Sequence, residues 1–416
     1  MNIRDINSFK EKALAWANTF DICCCFDSND YPDRYGNFDL IIAAGANDQL
    51  ERSAGQAFDD LKSFYDEHRN WMFGLMSYDL KNETEQLESA NTDDLCFPDL
   101  FFFVPTHLLL VKDGKAELVL GDHTVLDQIA DMEISHGPSE PVTIAAKIDR
   151  LSYIKIIEDL QQHIRRGDIY EINFCQEFFA RNASVDPLFI LERLNQISPT
   201  PFSGFFKIRE RYILSASPER FLCKRGSKLI SQPIKGTAKR GSDSEEDMMV
   251  KTRFRQNAKE RAENVMIVDL VRNDLTKSAI KGSVQVEELF GVYPFPQVYQ
   301  MISTVTCTIS PDVHLIDAIK NAFPMGSMTG APKKRSMELI ERYECSKRGA
   351  YSGAMGYIDP QGDFDFNVLI RSIFYREDTR HLSFQVGGAI TYAANAAEEY
   401  EECMLKASAM IKALKN

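Results

Sequence analysis

Apolar residues occur in short runs separated by polar turns along most of the 416-residue chain. The runs at residues 20–26, 40–44 and 101–111 are typical of buried β-strands. Between residues 53 and 68 the apolar positions instead follow a helical period, which predicts an amphipathic helix. Strands and helices therefore alternate over residues 1–140, which we expect to form an N-terminal region packed on the core.

Two polar segments interrupt these patterns. Residues 135–141 contain one glycine and two prolines, which break both periodicities, so we predict a short linker there. It would separate the N-terminal region from a catalytic region at residues 148–408. Residues 240–246 are polar and predict a surface loop. Since no internal repeat is present, we expect the two regions to form one compact globule.

Composition and charge exclude several classes of function. A hydrophobic content of 44% can supply a large core, whereas a net charge of -13 disfavours binding to nucleic acid or anionic membranes. No run of residues is typical of a transmembrane helix, and the polar start of the chain does not resemble a secretion signal. The nine cysteines show no metal-binding or redox spacing. We therefore expect a cytoplasmic protein.

Lys235 is the first candidate for chemistry. It lies in the segment 233–237, Pro-Ile-Lys-Gly-Thr, where an apolar strand meets a turn. A lysine amine is nucleophilic near neutral pH when burial or a cationic neighbour lowers its pKa, and this segment could supply both. The alternative is an ordinary surface lysine at the end of a strand.

Two pairs of glutamates have the spacing that places both members on one face of a helix. Glu260 and Glu263 form one pair, and Glu399 and Glu402 form the other. Two facing helices could thus offer Mg²⁺ the carboxylate oxygens that it prefers. The alternative is that each pair belongs to a solvated helix face.

Arg371 lies within residues 366–374, whose apolar pattern predicts a buried strand. A buried guanidinium without a partner is costly, so Arg371 needs an anion. An internal Asp or Glu and a substrate carboxylate are both possible partners at this point.

Eight motifs follow one another over residues 148–408. They are 167–170 (GDIY), 217–221 (SPERF), 233–237 (PIKGT), 259–263 (KERAE) with 268–275 (VDLVRNDL), 323–326 (FPMG) with 330–333 (GAPK), 348–353 (RGAYSG), 370–372 (IRS), and 398–402 (EEYEE). Their order resembles that of the chorismate-utilising enzymes, which include anthranilate, aminodeoxychorismate, isochorismate and salicylate synthases. This resemblance implies an α+β fold like that of anthranilate synthase, with two large antiparallel β-sheets in a sandwich and helices outside.

The resemblance also implies roles for individual residues. Glu263 and Glu402 would bind Mg²⁺, with Glu260 and Glu399 as neighbours, and Glu219 would donate a proton to the departing C4 hydroxyl of chorismate. Arg371 would grip the enolpyruvyl carboxylate. The other implied substrate-binding residues are Tyr351, a glycine turn at Gly387, Gly388 and Ala389, and Thr237, Ser327 and Lys406. Ser327 replaces a usual threonine, and residues 391–394 also depart from the family pattern.

Three positions indicate a branch of the family. Lys235 resembles the aminodeoxychorismate synthases, since anthranilate synthases usually carry alanine there. Glu171 stands where isochorismate and salicylate synthases have a lysine base. Gln300 stands where a histidine is linked to pyruvate elimination, and an amide cannot shuttle protons as imidazole does. Anthranilate synthase component I and a non-catalytic regulatory homologue stay as alternatives.

The resemblance to that branch implies a covalent mechanism. Lys235 would attack C2 of chorismate, and ammonia would then displace it by adding at C4, which gives 4-amino-4-deoxychorismate for 4-aminobenzoate and folate synthesis. A chain of this length has no room for a fused glutaminase. We therefore expect a separate class I glutamine amidotransferase subunit, in a heterodimer, to supply the ammonia.

Overall fold

The computed structural model describes residues 3, 5–135, 137, 140–296 and 298–415. Its helices are α1 Ile6–Ala17, α2 Ala57–His68, α3 Lys81–Thr84, α4 Thr124–Asp131, α5 Arg150–Arg166, α6 Pro187–Ile197, α7 Ser244–Gln256, α8 Ala258–Thr276, α9 Leu315–Ala322, α10 Lys333–Tyr343 and α11 Ala396–Leu414. Its strands are β1 Ile22–Asp27, β2 Leu40–Arg52, β3 Met72–Met76, β4 Leu100–Lys112, β5 Lys115–Leu120, β6 Ala145–Ala146, β7 Glu171–Ala180, β8 Phe202–Ile208, β9 Arg211–Ser217, β10 Arg220–Arg225, β11 Lys228–Gln232, β12 Ile234–Lys239, β13 Gln285–Pro294, β14 Val298–Thr308, β15 Gly330–Ala331, β16 Ala354–Ile358, β17 Phe364–Asn367, β18 Ser372–Arg376 and β19 His381–Ile390.

The strands form two antiparallel rows, which are joined through the long paired strands β2 and β4. The first row runs β5-β4-β2-β1-β8-β9-β18-β19-β7, and the second runs β4-β3-β16-β17-β10-β11-β14-β13. Strand β4 pairs with β3 through its first half and with β5 through its second half, and β2 pairs with β4 over both halves. The two sheets are therefore continuous through β2 and β4.

The two rows pack on each other through aromatic side chains. Phe26 of β1 in the first row stacks on Phe73 of β3 in the second, with ring centroids 6.3 Å apart. Helices α1, α5, α6 and α11 lie on the first row, α7 and α8 lie on the second, and α2 lies against β2 and β4. This arrangement confirms the expected α+β fold with antiparallel sheets and outer helices.

The strand and helix predictions for the N-terminal region were mostly right. Residues 20–26 and 101–111 correspond to β1 and β4, and residues 40–44 are the start of β2, which continues to Arg52. The predicted helix over residues 53–68 begins later, at Ala57. Strand β1 pairs with β8 and β3 pairs with β16, so this region is hydrogen-bonded to the rest of the protein.

Two other predictions need correction. The loop expected over residues 240–246 ends at Asp243, whose carboxylate caps the N-terminus of α7. The single strand expected over residues 366–374 is broken, because the chain leaves β17 after Asn367 and enters β18 at Ser372. The linker predicted at residues 135–141 lies partly outside the described residues, and the division of the chain at that point stays a prediction. In the described part of the chain, no helix combines the length and apolar character needed to cross a membrane.

Candidate active site

Glu219 and Arg371 lie where the chain passes from one row to the other. Glu219 connects β9 to β10, and Arg371 follows β17 and precedes β18. Because β9 pairs with β18 and β10 pairs with β17, the two connections run side by side. The amide of Val368 donates to the carbonyl of Glu219 at 3.0 Å, and that of Ala216 donates to the carbonyl of Arg371 at 3.1 Å. Two residues about 150 positions apart are thus held together.

Lys235 lies on β12 at an irregularity in its pairing with β14, between Ile234 and Thr237. Its side chain is 10% exposed, and Nζ donates a hydrogen bond to Oε1 of Glu171 on β7 at 2.5 Å. Gly236 has a φ of 88°, and a Cβ there would overlap the carboxylate of Glu260. Glycine at this position therefore lets α8 approach the lysine. The surface-lysine alternative was wrong.

The expected decrease in the pKa of Lys235 was also wrong. Burial by itself lowers the pKa, but the carboxylates of Glu171, Glu263 and Glu219 outweigh it and raise the pKa above its ordinary value. The cations that follow in sequence, Lys239 and Arg240, are not among the main influences on this amine. Arg240 is instead paired with Asp247 at 2.5 Å. These carboxylates therefore favour the protonated form of the amine.

Glu219 is buried, with 4% of its surface exposed. Burial raises its pKa to about 7, against the opposing effects of a hydrogen bond from Ser327, the charge of Lys235 and the amide of Ile234. Ser327 lies in the short turn Gly326–Met328 and donates from Oγ to Oε1 of Glu219 at 2.6 Å. This carboxyl group can therefore carry a proton at neutral pH, as a general acid requires.

Arg371 has a φ of 50° and lies in the connection before β18, not within a strand. Burial lowers the pKa of its guanidinium. Among the residues that the structure describes, no Asp or Glu side chain forms an ion pair with it. The internal-carboxylate alternative therefore has no support there, and the guanidinium is free to bind an anionic ligand.

The two glutamate pairs do lie on helices, and the helices face each other. Glu260 and Glu263 are on α8, and Glu399 and Glu402 are on α11. Lys259 bridges the helices, with Nζ 4.0 Å from Oε1 of Glu263 and 3.8 Å from Oε1 of Glu399.

The pKa values of the four glutamates differ because their surroundings differ. Burial raises the pKa of Glu263 to about 7. Burial followed by repulsion from Glu402 raises the pKa of Glu399, and burial raises that of Glu260. Lys406, whose Nζ is 2.8 Å from Oε1 of Glu402, lowers the pKa of that carboxyl group.

A divalent cation fits the donor set of these helices, since the donors are oxygens and facing carboxylates repel one another until a cation neutralises them. Within the described residues, however, no three His, Cys, Asp or Glu side chains already form a metal site. The lysines occupy the space between the carboxylates instead. Binding of Mg²⁺ would thus require Lys259 or Lys406 to move aside.

The expected glycine turn is part of a strand. Gly387, Gly388 and Ala389 belong to β19 and pair with residues of β7, since that ladder continues to Ile390. A Cβ on Gly388 would lie 3.4 Å from Oε2 of Glu399, so the glycine brings the strand close to α11. Lys406 donates to the carbonyl of Gly387 at 3.1 Å.

The remaining predicted residues lie at different depths. Tyr351 is buried, and the Sγ atom of Cys175, the partner of Gly387 on β7, lies 3.6 Å from its hydroxyl oxygen. Thr237 is exposed and faces Gln300 across the β12–β14 ladder. Gln300 is 1% exposed, and its Oε1 has no hydrogen-bond partner in the described structure.

Sequence reasoning did not assign a role to Glu171, although its carboxylate is the hydrogen-bond partner of Lys235. The signal in the sequence was that Glu171 directly follows the block 167–170 and stands where isochorismate and salicylate synthases have a lysine base.

Comparison with known proteins adds to this geometry. A family model for chorismate binding enzymes matches residues 21–412. The chain belongs to this family. Among the chorismate binding enzymes, aminodeoxychorismate synthase component 1 of Escherichia coli (strain K12) is 35% identical over 347 residues, which are 82% of this chain and 76% of that protein. The protein of the same name from Bacillus subtilis (strain 168) is 31% identical over 360 residues, with 82% and 76% covered.

Solved structures of the family show the same fold. Anthranilate synthase component I from Streptococcus pneumoniae TIGR4 superposes with a TM-score of 0.81 at 24% identity and covers 92% of this chain and 93% of its own. MenF, the menaquinone-specific isochorismate synthase from Escherichia coli, has a TM-score of 0.78 at 16% identity, with 97% and 91% covered. Two enzymes of different names thus share the fold of this chain.

Proposed function

We propose that this protein is an aminodeoxychorismate synthase that converts chorismate and ammonia to 4-amino-4-deoxychorismate, the precursor of 4-aminobenzoate in folate synthesis. The observation that carries the proposal is the buried amine of Lys235, which interacts electrostatically with Glu219, a buried glutamate whose pKa is raised to about 7. The names of the relatives in Escherichia coli and Bacillus subtilis support the same reaction.

Two positive charges would bind the two carboxylates of chorismate: the guanidinium of Arg371 and a Mg²⁺ ion. Arg371 has no internal carboxylate partner in the described residues, so it can bind the enolpyruvyl carboxylate without breaking an existing ion pair. The ring carboxylate lies towards α8 and α11, where Glu263 and Glu402 would hold Mg²⁺ with Glu260 and Glu399 beside them. That ion would neutralise the ring carboxylate and orient it. Two fixed carboxylates leave one orientation for the ring.

The chemistry proceeds in two displacements. Glu219 gives its proton to the C4 hydroxyl, which leaves as water, while Nζ of Lys235 bonds to C2 and the ring double bonds shift. Ammonia then bonds to C4, the double bonds shift back, and the bond between Lys235 and C2 breaks. Each displacement is easier than one direct substitution at C4.

The source of ammonia is a second protein in this proposal. The relatives are named "component 1", which agrees with a partner component. Free ammonia is scarce at neutral pH because ammonium predominates. We therefore propose that a glutamine amidotransferase subunit forms a heterodimer with this chain and delivers ammonia to the site.

Purified protein incubated with chorismate, Mg²⁺ and ammonium at alkaline pH should form a product with the mass of 4-amino-4-deoxychorismate. The Lys235→Ala variant should lose this activity by at least about 10³-fold, because no other side chain of the segment can form the adduct. Lys239→Ala is the matched control, since Lys239 is exposed on the same strand. Formation of anthranilate, absence of turnover in the wild-type protein, or full activity of Lys235→Ala would each contradict the proposal.

A further inference from the structure

We propose that Glu171 is a catalytic residue, the base that removes the proton from Lys235 before the amine attacks chorismate. This inference rests on the function proposed above and adds a residue to which sequence reasoning gave no catalytic role.

The geometry is that of a proton transfer pair. Nζ of Lys235 and Oε1 of Glu171 are 2.5 Å apart, and both side chains are buried. The second carboxylate oxygen, Oε2, is buried without a hydrogen-bond partner in the described structure. No other carboxylate in the described residues forms a hydrogen bond with this amine.

The backbone around Glu171 is held on both sides. Its partner on β15 is Ala331, and its carbonyl accepts a hydrogen bond from Oγ of Ser336 at 3.2 Å. The carbonyl of Ala331 in turn accepts from the amide of Tyr170 at 2.7 Å. A carboxylate on so constrained a strand keeps its place beside the amine.

The surrounding charges make a base necessary. Glu171 of β7, Glu219 between β9 and β10, and Glu263 of α8 all act on Lys235 of β12 and favour its protonated form. A protonated amine cannot bond to C2. Of the three, Glu219 must enter the reaction already protonated, and Glu263 forms no hydrogen bond with the amine. Glu171 is left to take the proton.

The protons balance over one cycle. Lys235 starts as an ammonium group, Glu171 as a carboxylate and Glu219 as an acid. Glu171 takes one proton from Nζ, the free amine bonds to C2, and the C4 hydroxyl leaves as water with the proton of Glu219. When ammonia bonds to C4, Lys235 departs as a neutral amine and recovers its proton from Glu171. The new ammonium group at C4 returns a proton to Glu219.

Rapid mixing of enzyme and chorismate without ammonia, followed by intact mass measurement, tests the proposal. We expect Glu171→Gln to slow formation of the covalent adduct by roughly 10²–10⁴-fold at pH 7, the range for loss of a general base. Glu171→Asp keeps a carboxylate and should recover part of the rate. The dissociation constant for chorismate should change by less than about threefold in both variants.

The pH dependence separates catalysis from a purely electrostatic role. In Glu171→Gln the rate should increase with pH, because hydroxide then replaces the missing base. If Glu171 only kept Lys235 charged, its removal would free the amine and raise the rate at pH 7, which would overturn the proposal. A rate for Glu171→Gln within threefold of wild type would overturn it as well.

The controls distinguish this inference from the function on which it rests. Failure of the wild-type protein to form any adduct, or an adduct in Lys235→Ala, refutes the proposed function. A wild-type adduct that Lys235→Ala cannot form, together with an unimpaired Glu171→Gln, refutes the role of Glu171 alone. Circular dichroism of each variant checks that it is folded.

Discussion

The hydroxyl of Ser327 donates a hydrogen bond to Oε1 of Glu219 at 2.6 Å. The carboxyl group of Glu219 also accepts a hydrogen bond from the amide of Ile234. Ser327 belongs to a turn whose ends are tied down, since Lys333 donates to the carbonyl of Pro324 at 2.8 Å and Arg348 donates to that of Met328 at 2.6 Å. The turn therefore holds the carboxyl group of Glu219 in place.

Removal of this hydroxyl should change both rate and pH dependence. Ser327→Ala loses a hydrogen bond that lowers the pKa of Glu219, so that pKa rises and the alkaline limb of kcat/KM for chorismate moves to higher pH. We expect kcat to fall about tenfold, since a hydrogen bond to an orienting group contributes roughly 1.4 kcal/mol. Ser327→Thr keeps the hydroxyl and should stay near wild type. An unchanged alkaline limb in Ser327→Ala would count against the role assigned to Glu219.

Glu219 should also decrease the stability of the fold above neutral pH. Burial raises its pKa from 4.5 to about 7, so the folded protein resists the ionisation that the unfolded chain undergoes freely. The cost begins as the pH passes 4.5, is complete above about 7, and amounts to roughly 3 kcal/mol. Glu219→Gln should therefore raise Tm at pH 8 and change it little at pH 5. Equal effects at both pH values would contradict this linkage.

The metal proposal predicts matched effects on two helices. Glu263→Gln and Glu402→Gln should each raise the Mg²⁺ concentration for half-maximal activity by about tenfold or more, because each loses a charged oxygen ligand. The measurement is activity against Mg²⁺ at saturating chorismate.

The control for this experiment follows from the structure. Glu398→Gln changes an exposed carboxylate on the same helix as Glu402 and should have no effect. Equal effects of all three Gln substitutions would indicate general charge and not a metal site.

The ammonia source can be tested with the purified chain. By itself the protein should use ammonium and should not use glutamine. Addition of a class I glutamine amidotransferase from the same cell should confer glutamine-dependent turnover and a complex detectable by size-exclusion chromatography. Efficient use of glutamine by the chain without a partner would refute the proposed heterodimer.

The local pattern of the sequence determined a good part of this protein. Short apolar runs predicted β1 and β4, and the i, i+3 spacing of Glu260 with Glu263 and of Glu399 with Glu402 correctly placed each pair on a helix. Such predictions succeed because a strand or helix repeats over a few residues, so the pattern within one element reports which face is buried.

Only the tertiary structure decided which elements meet. Lys235 and Glu171 are 64 positions apart, and their contact depends on how β12 and β7 are placed, which no local period encodes. The direction of the pKa of Lys235 followed from that placement, since neighbours in space and not in sequence carry the charges that act on it. The interruption of the strand around Arg371 also depends on tertiary structure. The apolar pattern continues through residues 366–374, but the chain passes from one sheet to the other between β17 and β18.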